Sequence, residues 1–236
     1  MQGDDPYTVA SHNSSWVRIR MPKTARGARP KPKPLKRPTQ ARAKATVQAI
    51  FDAYVRIWRR EGSAAVTTRS VALEAGIAIG TLYDYFPNKA ALHSGYVRHC
   101  IEQMISEVDE TAVQPKDLPW QTRLHRTLQI VCGATEGDAP RFPPDMLALE
   151  HQVAEPKHQQ RAYQEMAAMW QRVFGACTDI DPPLPPERIE SLHLAIWGGR
   201  RYAMVLGFGP ERLERWAREM ESVCLVVVAH QLSSKT

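Results

Sequence analysis

Apolar residues recur along most of this chain at three- and four-residue intervals, the spacing of helices that each bury one face. Val47, Ile50, Phe51, Tyr54, Val55 and Trp58 form the first such stripe. Their helix is capped by Thr39, runs to about Glu61 and ends at Gly62. A short second helix starts at Thr67 or Thr68 and buries Val71, Ala72 and Ala75, after which Gly76 takes the positive φ of a sharp turn. Ile77 and Leu82 anchor a third helix, with Ile79, Thr81 and Tyr83 on its outer side. It stops at Phe86-Pro87, because a residue before proline resists helical dihedrals. Asn88 caps the next helix, residues 90–111. Further helical segments fall at about 118–134, 143–154, 157–177, 186–207 and 210–232, with breaks at Pro115, 137–140, the proline-rich 181–186 and 207–210. No convincing strand pair and no fixed-period repeat accompanies them. The pattern predicts an all-α chain with a three-helix head at 39–87 and a helical body at 88–232.

The second and third helices are spaced as a helix-turn-helix, which lays its second helix in the major groove of DNA. Ala72 is small enough for the two to cross closely. Thr-Thr-Arg at 67–69, Ala-Gly-Ile at 75–77, Gly-Thr-Leu-Tyr at 80–83 and Tyr-Phe-Pro-Asn-Lys at 85–89 together resemble the tetracycline-repressor (TetR) family of bacterial transcription regulators. So many residue types at fixed spacing seldom coincide by chance. The motif resemblance covers residues 39–95, and beyond them it rests on architecture. It implies a helix-turn-helix DNA-binding domain followed by a helical ligand-binding and dimerisation domain. One departure is Ala78, where the family usually has a serine opening the recognition helix, so that cap and any contact from its hydroxyl are absent.

By this resemblance Lys89 and Tyr83 are contacts to DNA phosphates, joined by Tyr85, and such contacts orient a head without reading sequence. Thr68 stands with them at the start of the first motif helix. Thr81, through its hydroxyl, and Ile79, against a thymine methyl, are the expected groove readers, and Gly80 lets the backbone come close. Arg69 reaches a guanine edge or a phosphate on this reading; the plainer alternative is a surface ion pair with Glu74 or Asp84. Leu82 and Phe86 are core.

Charge changes the picture at the front of the chain. Eleven of the 31 basic residues lie between Arg18 and Lys44, and no Asp or Glu occurs between Asp5 and Asp52. Beyond Lys44, 20 basic residues face 23 acidic ones. Residues 1–38, with Pro at 22, 30, 32, 34 and 38, read as a disordered basic arm. Three roles suit it: insertion into the minor groove, non-specific attraction to DNA, or a solvated tail without function. Arg26-Gly27-Ala28-Arg29-Pro30 matches an AT-hook only in part, because Ala28 interrupts its core. Met21 is an alternative start that would leave residues 1–20 untranslated. The N-terminus carries positive charge without the apolar run of a secretory signal, and no segment has the length of a membrane span; we expect a cytoplasmic protein that does not engage membranes. Cys100, Cys132, Cys177 and Cys224 never form a C-x-x-C and read as reduced thiols.

The last two helices carry long apolar stripes: Ile189, Leu192, Ile196, Ala203 and Leu206 on one, Leu213, Trp216, Met220, Val223 and Val227 on the other. The family resemblance implies that two copies pack these helices into an intermolecular four-helix bundle and read a palindromic operator as a homodimer. The alternative is that they pack within one subunit. Phe142, Met146, Tyr163, Met166, Trp170 and Trp197 are candidates to line an apolar cavity for a hydrophobic or aromatic effector, with Glu150 or His151 as its polar handle. Each is equally at home as core. No P-loop, dinucleotide fingerprint, nucleophile elbow or metal-ligand spacing occurs, so we expect no catalytic residues, metal or cofactor. The expected function is a ligand-released repressor. The alternatives are an effector-independent regulator, a nucleoid-type architectural protein and, last, an enzyme.

Overall fold

The computed structural model of the chain describes residues 41–133, 146 and 156–233, and among these it has eight α-helices and no strand. They are α1 (Ala41–Glu61), α2 (Thr68–Glu74), α3 (Ile79–Tyr85), α4 (Lys89–Val108), α5 (Trp120–Cys132), α6 (Pro156–Gly175), α7 (Pro186–Val205) and α8 (Pro210–Ser233). The expected helix at 143–154, the cap at Thr39 and the basic arm lie outside the described residues, apart from Met146. Elsewhere the predicted bounds hold to within a few residues.

The head is built around aromatic rings that α1 brings to α4. Phe51 packs on Phe86 and Tyr96 with ring centroids 5.5 and 5.7 Å apart. Tyr54 is fully buried, and its hydroxyl lies 2.7 Å from Nδ1 of buried His93, whose ring stacks on Trp58. Gly95 lets α4 approach this cluster, since a Cβ there would stand 2.6 Å from the Phe86 ring. The buried residues of head and body form one continuous core, in which Leu92, Cys100, Ile101, Met104 and Val108 of α4 belong to both.

The single helix expected at 90–111 is instead α4 followed by a π-helical turn, Asp109–Val113, closed by Gln114 N–H donating to the Asp109 carbonyl at 2.8 Å. Arg123, on α5 and only 2 % exposed, explains the widened turn. Its Nη1 donates to the carbonyls of Ala112 (2.7 Å) and Val113 (3.2 Å), and its Nη2 to those of Pro115 (2.6 Å) and Lys116 (3.1 Å). Nε donates to Leu118 O at 3.0 Å. All five guanidinium N–H groups therefore meet backbone acceptors at the bend between α4 and α5.

Two ion pairs join α4 and its extension to α6: Arg98 to Glu165 at 3.6 Å, and Arg172 to Asp109 through both carboxylate oxygens at 3.0 and 2.8 Å. Helix α8 packs along α5, with His125 Nδ1 at 3.0 Å from Glu221, and meets α7 where Gly199 faces the Trp216 ring. The four cysteines are free and buried; burial pushes the thiols of Cys100, Cys132 and Cys224 up to about 12 and that of Cys177 to about 11. Such thiols stay protonated and unreactive.

Candidate nucleic-acid interface

Thr67 opens α2 with a reciprocal cap: its hydroxyl accepts from Ser70 N–H at 2.9 Å, and Ser70 Oγ accepts from Thr67 N–H at 2.9 Å. At the turn Gly76 has φ +66, and Ile77 N–H reaches back to the Ala72 carbonyl at 3.0 Å. Ala78 then precedes α3 in extended geometry with no side-chain cap, as its methyl dictates. Leu82 is fully buried beneath α3, and Phe86 ends the helix inside the core. Asn88 Oδ1 accepts from Ala91 N–H at 2.8 Å and starts α4.

This framework turns one face of α3 outward. Ile79 is 41 % and Tyr83 44 % exposed, Gly80 is exposed, and Thr81 is half-buried. No protein atom lies within 4 Å of where a Gly80 Cβ would stand. The backbone at Gly80 is therefore open to close approach from outside. Beside this face runs a shallow groove walled by Thr68, Tyr83, Asn88 and Lys89. The Thr68 and Tyr83 hydroxyls lie 3.1 Å apart. Lys89 is half-buried and its Nζ donates to the Ser63 carbonyl at 2.5 Å, so burial lowers the pKa of its ammonium. Thr68, Tyr83 and Lys89 are thus gathered in one place. Tyr85 is half-buried and packs its ring toward Phe86, centroids 6.4 Å apart.

Arg69 is exposed on α2, and among the described residues it forms no ion pair. Glu74 is taken instead by Arg56 at 3.0 Å and Arg60 at 3.3 Å, whose hydrogen bonds hold its carboxyl below the usual range. Periodicity gave no sign of this pairing, because Arg56 and Arg60 sit on the polar face of α1. Nor did it single out the Ser63–Lys89 or Tyr54–His93 links, which depend on how the helices meet.

In the body, Phe142, Glu150 and His151 lie outside the described residues. Met146, Met166 and Trp170 are fully buried in the core. Trp197 is half-buried with the Arg200 guanidinium 5.3 Å from its ring centre. Tyr163 lines a cleft between α6 and α7 and donates its hydroxyl hydrogen bond to Glu190. Among the described residues no group of three His, Cys, Asp or Glu side chains is placed to hold a metal, and no helix is long and apolar enough to cross a membrane.

Residues 50–94 match the family model for bacterial regulatory proteins of the tetR family. A comparison with curated proteins gives no significant match. Among solved structures the chain is similar to SmeT, the repressor of the Stenotrophomonas maltophilia multidrug efflux pump SmeDEF, at 19% identity and TM-score 0.56 over 78% of this chain and 91% of that one. A TetR-family regulator from Streptomyces coelicolor matches at 20% identity and TM-score 0.52, covering 78% and 99% of the two chains. The multidrug binding protein EbrR, complexed with imidazole, matches at 17% and 0.51, covering 75% and 92%. At these identities the structures speak for the fold, and the family model speaks for the head. The helix-turn-helix that the sequence and the geometry both describe lies within the segment that matches the family model, so the head is a DNA-binding domain of the tetR type and the chain shares the fold of TetR-family regulators.

Proposed function

We propose that this regulator is a homodimeric repressor that holds a palindromic operator and leaves it when a small molecule binds the helical body. Of the stripe expected at the subunit interface, Ile189, Leu192, Ile196 and Ala203 pack inside one subunit instead. The observation that carries the reading is that other positions of the last two helices present large apolar side chains to solvent. Tyr202 is 65 % and Val226 69 % exposed, with Leu194, Val205, Leu206 and Val223 beside them in sequence register. A second copy covers such a face at little cost, and two heads then meet two half-sites related by the same two-fold axis. In this arrangement Ile79 and Thr81 read bases, while Thr68, Tyr83, Tyr85 and Lys89 hold phosphates. Arg69 is free to join either group. Lys89 keeps two N–H donors beyond the one given to Ser63.

The effector half of the proposal draws on the names of two similar structures, a repressor of a multidrug efflux pump and a multidrug binding protein. Within this chain it is supported by the two ion pairs that connect α4, the helix entering the head, and its π-helical extension to α6 of the body. A ligand shifts the equilibrium only by its differential affinity for the operator-competent and incompetent states. Head, linking helix and body correspond to residues 39–87, the start of 88–232, and the remainder of that segment.

Selection of bound duplexes from a random DNA pool, with full-length protein at physiological salt, tests the reading. A recovered palindrome supports it. Binding that follows ionic strength and recovers no motif favours an architectural DNA binder driven by the basic arm, and defeats it.

A further inference from the structure

The cleft between α6 and α7 has an electrostatic character unlike the apolar cavity expected from the sequence. Its volume is about 280 Å³, at the small end of ligand pockets. Glu187 and Glu190 of α7 contribute two carboxylates to its wall, Tyr163 of α6 contributes an aromatic ring, and no lysine or arginine lines it. The nearby cations are engaged elsewhere: Arg161 with Glu165, Arg172 with Asp109, and Arg188 with Gln231 on α8. Glu187 makes no side-chain hydrogen bond or ion pair among the described residues, whereas Glu190 accepts from the Tyr163 hydroxyl.

Two acidic side chains near a helix start would by themselves mean only a favourable helix dipole. His193 supplies the independent observation. It lines the same cleft one turn beyond Glu190, is fully buried, and neither ring nitrogen has a hydrogen-bond partner. Buried polar nitrogens are almost always paired, so two vacant ones on one ring mark a place where a partner is missing. The Tyr163 ring lies over this imidazole, with centroids 5.4 Å apart. Burial lowers the pKa of His193, which keeps the ring neutral and one nitrogen available as an acceptor.

We propose that this cleft binds a small organic cation bearing N–H groups. An ammonium or amidinium would lie between the Glu187 and Glu190 carboxylates, against the face of Tyr163, and donate one hydrogen bond to His193. A carboxylate pair supplies the charge, the ring a cation–π contact, and the neutral imidazole the requirement for an N–H donor. As an effector site the cleft rests on the ligand-responsive reading above; as a binding site it stands without it.

Calorimetric titration of the full-length protein at low salt separates the two. The probes are 1,4-diaminobutane, tetramethylammonium, a cation without N–H groups, and the neutral 1,4-butanediol. We expect saturable binding of the diamine, at least tenfold weaker binding of tetramethylammonium, and none of the diol. Glu190→Gln and Glu187→Gln, both on exposed positions and checked for folding by their melting curves, should each weaken the diamine about tenfold or more. Absence of diamine binding, equal binding of tetramethylammonium or the diol, or unchanged affinity in both glutamine variants overturns the proposal. A protein that binds the diamine while its operator affinity stays unaltered keeps the site and loses the effector role. One that ignores the diamine yet selects a palindrome loses only the site.

Discussion

Gly95 marks how closely α4 approaches the head. A methyl group there would stand 2.6 Å from Phe86, and that ring is already fixed against Phe51. Alanine normally favours a helix over glycine by about 1 kcal/mol. Overpacking costs roughly 1–3 kcal/mol and outweighs that gain, so Gly95→Ala should lower stability in urea denaturation. Among the residues proposed to face DNA the roles divide. Lys89→Ala should weaken binding to every duplex and reduce the slope of log affinity against log salt by about 1. Thr81→Ala should change the preferred bases, shifting discrimination at one position by about 1–3 kcal/mol. Binding isotherms on matched and mismatched duplexes at several salt concentrations separate the two. Identical, uniform effects would undo the assignment of reader and clamp. Because Lys89 also holds the Ser63 carbonyl, a melting curve of the variant checks that the head remains folded.

At the scale of elements, the bend between α4 and α5 depends on Arg123 more than on any apolar contact. Lysine carries the same charge but has three N–H donors on one atom and no planar fork, so it cannot reach five carbonyls spread from Ala112 to Leu118. Arg123→Lys should cost about 2–4 kcal/mol, since each buried carbonyl left unpaired loses roughly 1–3 kcal/mol. Chemical denaturation measures this, and a loss below about 1 kcal/mol would show that the carbonyls find other partners. The same region shows where the sequence was legible and where it was not. Thr67, Gly76, Phe86-Pro87 and Asn88 act on their immediate neighbours, so the start, turn and stop of the helix-turn-helix could be read from local chemistry. Arg123 takes acceptors five to eleven residues earlier, from a π turn that no periodicity announces. Local chemistry likewise does not single out His93 and His193, and only packing shows them buried. The expected effector residues fared unevenly for a related reason. Methionine and tryptophan at helical spacing fit a core and a cavity alike, and Met166 and Trp170 lie in the core.

At the scale of the molecule, three buried or half-buried imidazoles among the described residues make the fold sensitive to acid. Desolvation holds His93, His99 and His193 below their ordinary pKa, and His93 falls to about 4 from 6.5, helped by the nearby Lys89 charge. A pKa depressed by folding means that the unfolded chain binds the proton first. The contribution is therefore intact above pH 6.5, declines as the pH falls, and is gone below about 4. For His93 alone it amounts to about 3 kcal/mol. Unfolding free energies taken between about pH 7 and 4.5 should fall, and His93→Gln should flatten the slope. A slope unchanged in that variant would place the acid sensitivity elsewhere. The uncovered face of α7 and α8 sets a second property. Val226→Asp adds a charge where the dimer reading requires an apolar surface, and sedimentation should show the assembly shifting toward monomer with its helix content kept. A wild-type protein that is already monomeric would remove the basis for a two-headed operator.

The two ion pairs that join α4 and its extension to α6 have a mechanical consequence. Arg98 and Asp109 are eleven residues apart, about 16 Å along a helix, and Lys89 lies about 30 Å from Asp109. With Asp109 as fulcrum, a 1 Å displacement of Glu165 that Arg98 follows tilts the rod by about 4° and reaches the first residue of α4 as about 2 Å. With the charges so placed, a small movement of the body would arrive about twice as large, and about half as forceful, at the edge of the DNA-binding head.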